Sequence, residues 1–114
     1  MSSVSSSTDR YGFLEVHSEQ SSDRHVIVLK GELDLDGVDR VTEELERAEA
    51  SDARQIVLDL RELTFIDSSG VRMIVFANLR SREDGDRLRL IRGGARVQRV
   101  FELTGVLERL PFEP

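Results

Sequence analysis

Three short apolar runs alternate along the chain with segments in which apolar residues recur every three or four positions. The runs are residues 26–29 (VIVL), 56–60 (IVLDL) and 88–91 (LRLI). Runs of this length that are rich in β-branched residues are typical of buried strands, and strands that alternate with helices form crossover units in a mainly parallel sheet. The pattern therefore predicts an α/β fold with helices packed against the sheet.

The segments between these runs predict three helices. The first follows a loop at residues 32–37, the second spans about residues 69–81, and the third spans residues 95–104. The first helix has an apolar stripe at Val38, Val41, Leu45 and Ala48, which is the spacing of a helix with one buried face. A short final strand is predicted at residues 110–113.

The N-terminal part of the chain predicts a different arrangement. Residues 13–18 alternate in polarity and are followed by turn-forming residues at 19–23, so we expect an antiparallel hairpin with the strand at 26–29. Residues 1–10 (MSSVSSSTDR) are Ser-rich and almost devoid of apolar side chains, which predicts a disordered tail. A length of 114 residues suits one domain, here residues 11–114.

Composition excludes several classes of function. The formal net charge is −6, whereas a nucleic-acid-binding protein needs an excess of basic residues. No cysteine is present, which excludes disulfides and thiolate ligands. The sequence contains no apolar run long enough to span a membrane and no N-terminal leader pattern. We therefore expect a cytoplasmic protein without nucleic-acid or membrane partners.

Catalytic motifs are also scarce. His17 and His25 lie in the predicted N-terminal strands, where we expect them on the strand surface, and nothing in the spacing indicates a Ser-His-Asp arrangement or a metal site. Gly93-Gly94 lacks the remaining residues of a phosphate-binding loop and is interpreted as a turn. Asp59 lacks the acidic pair and the later lysine of a phosphorylated receiver domain. The sequence predicts a non-enzymatic protein without a cofactor.

The most informative polar segment is Asp67-Ser68-Ser69-Gly70, which opens the predicted second helix. Asp and Ser are preferred N-cap residues, because their side chains accept hydrogen bonds from the first-turn N–H groups. A single cap is sufficient, so at least one hydroxyl is expected to face solvent. The positive end of a helix dipole tolerates an added phosphate. Phosphorylation here should therefore change the surface without disturbing the fold.

Four segments together resemble the STAS domain of bacterial anti-sigma-factor antagonists over about residues 11–113. The most specific feature is the pair formed by a Gly-Glu-Leu-Asp segment and an Asp-Ser-Ser-Gly segment. The four segments are residues 29–34 (LKGELD), 56–60 (IVLDL), 65–71 (FIDSSGV) and 100–107 (VFELTGVL).

This resemblance implies a partner-switching mechanism. In the family, the unphosphorylated antagonist binds an anti-sigma factor that is also a serine kinase, and thereby frees a sigma factor. The kinase then phosphorylates the serine that follows the motif aspartate, here Ser68 with Ser69 as second choice, and a phosphatase restores binding. The resemblance further implies a docking surface that consists of Glu32, Asp34, Leu35, Asp36, Asp67, Ser69, Gly70, Val71 and Arg72.

Some sequence features leave alternatives open. The second helix is apolar nearly all round: Val71, Ile74, Val75 and Leu79 are expected in the core, while Met73 and Phe76 are either buried by other elements or exposed as a partner-binding patch. Arg72 stands where the family commonly has a small residue, and two roles are open for it: to hold a phosphate on Ser68 or to repel a basic partner. The alternative functions are a STAS scaffold or sensor subunit that is never phosphorylated, and a nucleotide-binding domain that uses Asp34, Asp67 and Gly93-Gly94.

Overall fold

The computed structural model describes residues 4–114, which form one sheet of five strands and three α-helices. In chain order the elements are β1 (Ser5–Tyr11), β2 (Leu14–Gln20), β3 (Arg24–Leu33), α1 (Leu35–Ala50), β4 (Gln55–Ile66), α2 (Ser68–Glu83), β5 (Leu88–Ile91), α3 (Ala95–Leu103) and a 3₁₀ turn (Leu107–Arg109).

The strands lie side by side in chain order, from β1 at one edge to β5 at the other. The β1–β2 and β2–β3 pairs are antiparallel, whereas the β3–β4 and β4–β5 pairs are parallel and are joined through α1 and α2. This mixed sheet confirms the predicted α/β fold with an antiparallel hairpin at its N-terminal end. The antiparallel part contains one strand more than predicted.

The additional strand corrects the prediction of a disordered tail at residues 1–10. Ser5–Tyr11 pair with β2 along their whole length, and residues 1–3 lie outside the described residues. Every side chain of β1 is exposed, so no hydrophobic alternation marks it in the sequence. It is held instead by backbone pairing and by an ion pair between Asp9 and Arg40 of α1.

The core lies between the sheet and the helices and is made of aliphatic side chains from β2 to β5 and of one face of each helix. The α1 stripe is confirmed, with Val41, Leu45 and Ala48 fully buried and Val38 partly buried. Residues 56–60 are all buried, as expected for the central parallel strand. In β3, by contrast, Val26 and Val28 are only half-buried, because only one face of that strand is fully covered.

Two predicted elements are wrong, one at the end of β3 and one at residues 110–113. The predicted loop at 32–37 does not exist as such, since β3 continues through Leu33 and α1 begins at Leu35. The predicted last strand is reduced to a single parallel bridge between Phe112 and Leu90 beside β5. Gly31 explains why β3 can continue past its bulge: its φ is +103°, and a Cβ would lie 2.1 Å from the carbonyl oxygen of Phe13.

Helix α2 divides its apolar residues between two environments. Val71, Met73, Ile74 and Ala77 are buried, whereas Phe76 and Leu79 are 53% and 51% exposed. The expectation that Leu79 belongs to the core is therefore wrong. Of the two residues whose environment was left open, Met73 is buried and Phe76 is exposed. No helix within residues 4–114 combines the length and apolar character needed to cross a membrane.

Candidate functional site

The candidate site lies where the parallel strands β3 and β4 end next to each other. Leu33 and Ile66 are paired in register, and each strand is followed at once by an aspartate that caps a helix. Asp34 caps α1 and Asp67 caps α2. Because the carboxyl ends of parallel strands meet at one edge of a sheet, both helix N-termini open on the same side of the molecule.

Asp67 makes most of the polar contacts at this edge. Its carboxylate accepts hydrogen bonds from the backbone N–H groups of Ser69 and Gly70 at 3.0 and 3.1 Å, and from the Ser69 hydroxyl. Its own N–H donates to the Leu33 carbonyl at 3.2 Å. Partial burial acts to raise the pKa of Asp67, but the hydrogen bonds, which also include the Leu35 N–H, hold that pKa below its usual value. Asp67 therefore joins the starts of both helices as a carboxylate.

The two sequence motifs that carry the STAS resemblance are in direct contact through Gly70. A Cβ at Gly70 would lie 2.8 Å from Ile66 Cγ1 and 3.0 Å from Leu33 Cγ, so a larger residue would push α2 away from the strand ends. Gly70 and Val71 are both buried. They pack the helix onto the sheet, and their role as partner contacts stays a prediction.

The hydroxyl groups of Ser68 and Ser69 differ in availability. Ser69 is half-buried, and its hydroxyl donates to Asp67. Ser68 is exposed at the first position of α2, and its hydroxyl makes no hydrogen bond with any described residue. The cap is Asp67, so the helix does not need the Ser68 side chain. This geometry favours Ser68 over Ser69 as the group that can be modified.

Ser68 lines an apolar groove between α1 and α2, and this groove has a volume of about 400 Å³. Within the groove, Leu35 is 72% exposed and Phe76 is also exposed. Val38, Thr42 and Arg80 are absent from the predicted docking surface, and Met73 and Phe76 were expected there only under the alternative of an exposed partner-binding patch. Helical spacing could have identified the α2 side of the groove, because four of its lining residues recur every fourth position. They are Ser68, Arg72, Phe76 and Arg80. The lining residues are Leu35, Val38, Thr42, Ser68, Ser69, Arg72, Met73, Phe76 and Arg80.

Charged residues surround the groove unequally. Arg80 is paired with Glu49 of α1 at 3.1 Å, whereas Arg72 is exposed and makes no ion pair within residues 4–114. Asp36 is exposed in the first turn of α1, and Glu32 is exposed near the end of β3. The structure therefore brings together Asp34, Leu35, Asp67, Ser68, Ser69 and Arg72, with Asp36 and Glu32 near the same sheet edge.

A second polar cluster is buried between the sheet and α1. Ser18 Oγ lies 2.7 Å from His25 Nε2, and Glu44 Oε1 lies 3.2 Å from the same nitrogen. His25 is 2% exposed, so the expectation that it lies on the strand surface is wrong. Burial acts to raise the pKa of Glu44, but hydrogen bonds from Ser18, His25 and Arg40 hold it below its usual value.

The residues of the nucleotide-binding alternative already have structural roles, since Asp34 and Asp67 cap helices. The Gly93 N–H already donates to Gln98 Oε1 at 2.8 Å, and a Cβ at Gly93 would lie 2.9 Å from the Leu60 carbonyl oxygen. Gly94 forms the N-cap of α3 without a side-chain hydrogen bond, and neither glycine lines the α1–α2 groove. Within residues 4–114, no group of three or more His, Asp or Glu side chains is arranged to hold a metal ion.

Comparisons with known proteins give matches over most of the chain. The family model described as "Mlab, STAS domain" matches residues 16–111. An anti-sigma-B factor antagonist of Listeria monocytogenes is 32% identical over 90 residues, which cover 77% of this chain and 77% of the relative.

Solved structures show the same fold. An anti-sigma factor antagonist from Mycobacterium paratuberculosis superposes with a TM-score of 0.69 at 18% identity, covering 98% of this chain and 86% of the other. Unphosphorylated SpoIIAA, an anti-sigma factor antagonist, superposes with a TM-score of 0.65 at 23% identity, covering 96% and 89% of the two chains.

Proposed function

Because this chain belongs to the STAS domain family, we propose that it is an anti-sigma-factor antagonist controlled by phosphorylation of Ser68. Without the phosphate it binds an anti-sigma factor that is also a serine kinase, and so makes a sigma factor available. With the phosphate it releases that partner. The observation that carries this proposal is the free, exposed hydroxyl of Ser68 at the mouth of an apolar groove, and the similarity to a Listeria antagonist supports the general role.

The groove between α1 and α2 has the composition of a partner-binding surface. Leu35, Val38 and Phe76 line it with apolar surface, and Leu35 and Phe76 are largely exposed. Protein interfaces commonly combine an apolar centre containing aromatic side chains with a polar rim. The capped helix starts and the exposed acid Asp36 supply such a rim. We propose that the partner covers this groove and with it the Ser68 side chain.

The proposed switch is a phosphoryl transfer followed by hydrolysis. The partner kinase transfers the γ-phosphoryl group of ATP to Ser68 Oγ: a new O–P bond forms, the bond to ADP breaks, and the hydroxyl proton is released. A phosphoserine phosphatase reverses the modification by transferring the phosphoryl group to water. This chain supplies only the acceptor hydroxyl and its setting, so we propose a non-enzymatic role in the cytoplasm.

The charge of the phosphate is sufficient to weaken the binding of a partner substantially. A phosphoserine carries about −1.5 to −2 charges at neutral pH. At about 5 Å from an acidic group of a partner, this charge costs about 1–5 kcal/mol, depending on the local dielectric. At about 1.4 kcal/mol per decade, the affinity falls about tenfold to thousandfold. Because Asp67 rather than Ser68 caps α2, this change requires no refolding.

The test is a kinase assay on partners captured from the source cells. Immobilised wild type, Ser68→Ala and Ser68→Asp are used as baits, and bound proteins are identified by mass spectrometry. We expect the wild type and Ser68→Ala to retain an ATP-binding serine kinase, and Ser68→Asp to lose it. With ATP, the captured kinase should label the wild type and the control Ser69→Ala, but not Ser68→Ala.

Two outcomes would contradict the proposal. Equal capture by wild type and Ser68→Asp, together with no labelling of Ser68, would favour a STAS scaffold that is never phosphorylated. Labelling of Ser68→Ala at the same rate as the wild type would move the modification to another residue.

A further inference from the structure

Arg72 lies one helical turn after Ser68 on the same side of α2. The two residues are four positions apart in one helix, and both are exposed and line the α1–α2 groove. Side chains at this spacing are neighbours on a helix surface, with Cβ atoms about 5–6 Å apart. A phosphate on Ser68 Oγ would therefore be within reach of the Arg72 guanidinium.

Three other charged groups near Ser68 or along the groove are already engaged in contacts, whereas Asp36 is exposed in the first turn of α1 and its side chain makes no hydrogen bond or ion pair with any described residue. Asp67 and Asp34 accept hydrogen bonds as helix caps, and Arg80 forms a two-nitrogen contact with Glu49. Arg72 makes no hydrogen bond or ion pair with any residue of the part that the structure describes. Among the arginines that line the groove, Arg72 is therefore the one available to a new anion.

We propose that Arg72 is the intramolecular counter-ion of phosphorylated Ser68. This inference rests on the proposed function, because it concerns the regulation of the same site. Arg72 draws the phosphate along α2 and fixes its position at the groove. Phosphorylation then acts twice, since it adds negative charge and also withdraws the free cation of the groove from any acidic group of the partner.

The identity of the side chain supports this role. The guanidinium group is planar and presents paired N–H donors that match two oxygens of a phosphate, whereas a lysine ammonium acts as a point charge. Arg72→Lys should therefore retain the electrostatic attraction and lose the two-point contact. Arg72→Gln should lose the attraction altogether.

The inference is tested on protein that carries phosphoserine at position 68, introduced during translation so that no kinase or partner is required. Phosphorus NMR then follows the second ionisation of the phosphate between pH 4 and 8. We expect its pKa to be about half a unit lower in the wild type than in Arg72→Gln at low salt, since a nearby opposite charge favours the charged form. Arg72→Lys should lie between the two.

Arg82→Gln is the matched control, because Arg82 is an exposed arginine in the last turn of the same helix and does not line the groove. Its phosphate should titrate like that of the wild type. Equal pKa values in wild type, Arg72→Gln and Arg82→Gln at low salt would overturn the inference. That result would leave the kinase assay of the proposed function unaffected, so the two failures can be distinguished.

Discussion

Two serines, Ser18 and Ser68, each lie near a carboxylate and have opposite environments. Ser18 is 5% exposed and is hydrogen-bonded to His25 above the buried carboxylate of Glu44. Ser68 is exposed beside the carboxylate of Asp67, and its hydroxyl makes no hydrogen bond in the described part of the chain. Ser18 is unavailable because α1 covers it and His25 engages its hydroxyl, whereas Ser68 is available because Asp67 caps α2 and no described residue covers the Ser68 side chain.

The buried cluster contains the residue types of a catalytic triad but lacks the geometry of one. Ser18 and Glu44 both contact the Nε2 atom of His25, while Nδ1 is buried without a partner in the described residues. In a triad the base uses one nitrogen for the serine and the other for the carboxylate. The cluster joins β2, β3 and α1, and Arg40 extends it to Asp9 of β1. Its role is therefore structural.

The largest effect is expected from Glu44→Ala. The substitution removes the carboxylate that pairs with buried His25 and partly buried Arg40, and removing one member of a buried ion pair typically costs about 3–5 kcal/mol. Urea unfolding of the variant measures the loss in free energy. Glu46→Ala, at an exposed position of the same helix, is the control and should change stability by about 0.5 kcal/mol or less. If Glu44→Ala lost no more stability than Glu46→Ala, the buried cluster would not be important for stability.

A second prediction concerns the pH dependence of stability. The pKa of Glu44 is lower in the folded protein than its ordinary value of 4.5, so at acidic pH the unfolded chain binds more protons than the folded one. The contribution of Glu44 is complete above that ordinary value and is lost as the pH falls through its native pKa. Urea unfolding between pH 7 and pH 3 should show this loss, and Glu44→Gln should reduce it. An unchanged slope in Glu44→Gln would contradict the prediction.

The variants Ser18→Ala and Ser68→Ala test whether the buried and the exposed serine contribute differently to the free energy of unfolding. Ser18→Ala removes one of the two hydrogen-bond partners of buried His25 Nε2, beside the charged Glu44, and we expect a loss of about 1–3 kcal/mol. Ser68→Ala removes an exposed hydroxyl that caps nothing, and we expect about 0.5 kcal/mol or less. Chemical denaturation of both variants under one set of conditions gives the difference. Equal losses would mean that Ser68 also has a structural role.

Asp67→Ala should have a smaller effect than the loss of the buried cluster. It deprives the first turn of α2 of its hydrogen-bond acceptor, and loss of an N-cap typically costs about 1 kcal/mol. Asp67→Asn retains a good cap and should restore most of that stability. Thermal unfolding monitored by circular dichroism distinguishes these variants. A cost for Asp67→Asn as large as that for Asp67→Ala would assign the effect to the charge rather than to the cap.

The sequence predicted the elements whose signals are local. The apolar runs at 26–29 and 56–60 are strands, and the preference of aspartate for N-caps, together with the need for a single cap, anticipated a free hydroxyl in the Asp67-Ser68-Ser69 segment. The STAS resemblance selected Ser68 from that segment. The contact between the two motif segments explains why they occur together, because Gly70 packs on Leu33 and Ile66.

Other features depend on pairing and packing that a single sequence does not display. Strand β1 has no apolar side of its own, because backbone hydrogen bonds and the Asp9–Arg40 ion pair hold it. The burial of His25 depends on α1, nineteen residues further along the chain, which supplies Glu44. Gly70 and Val71 belong to a motif that also surrounds the exposed Ser68, so the motif alone could not separate packing residues from surface residues.

The most direct test of the account is a calorimetric titration of the captured kinase with this protein, unmodified and with phosphoserine at position 68. We expect the phosphate to weaken binding about tenfold to thousandfold, while the free energy of unfolding of this protein changes by about 1 kcal/mol or less. Equal affinities of the two forms would contradict the claim that charge on an otherwise unchanged surface controls the partner.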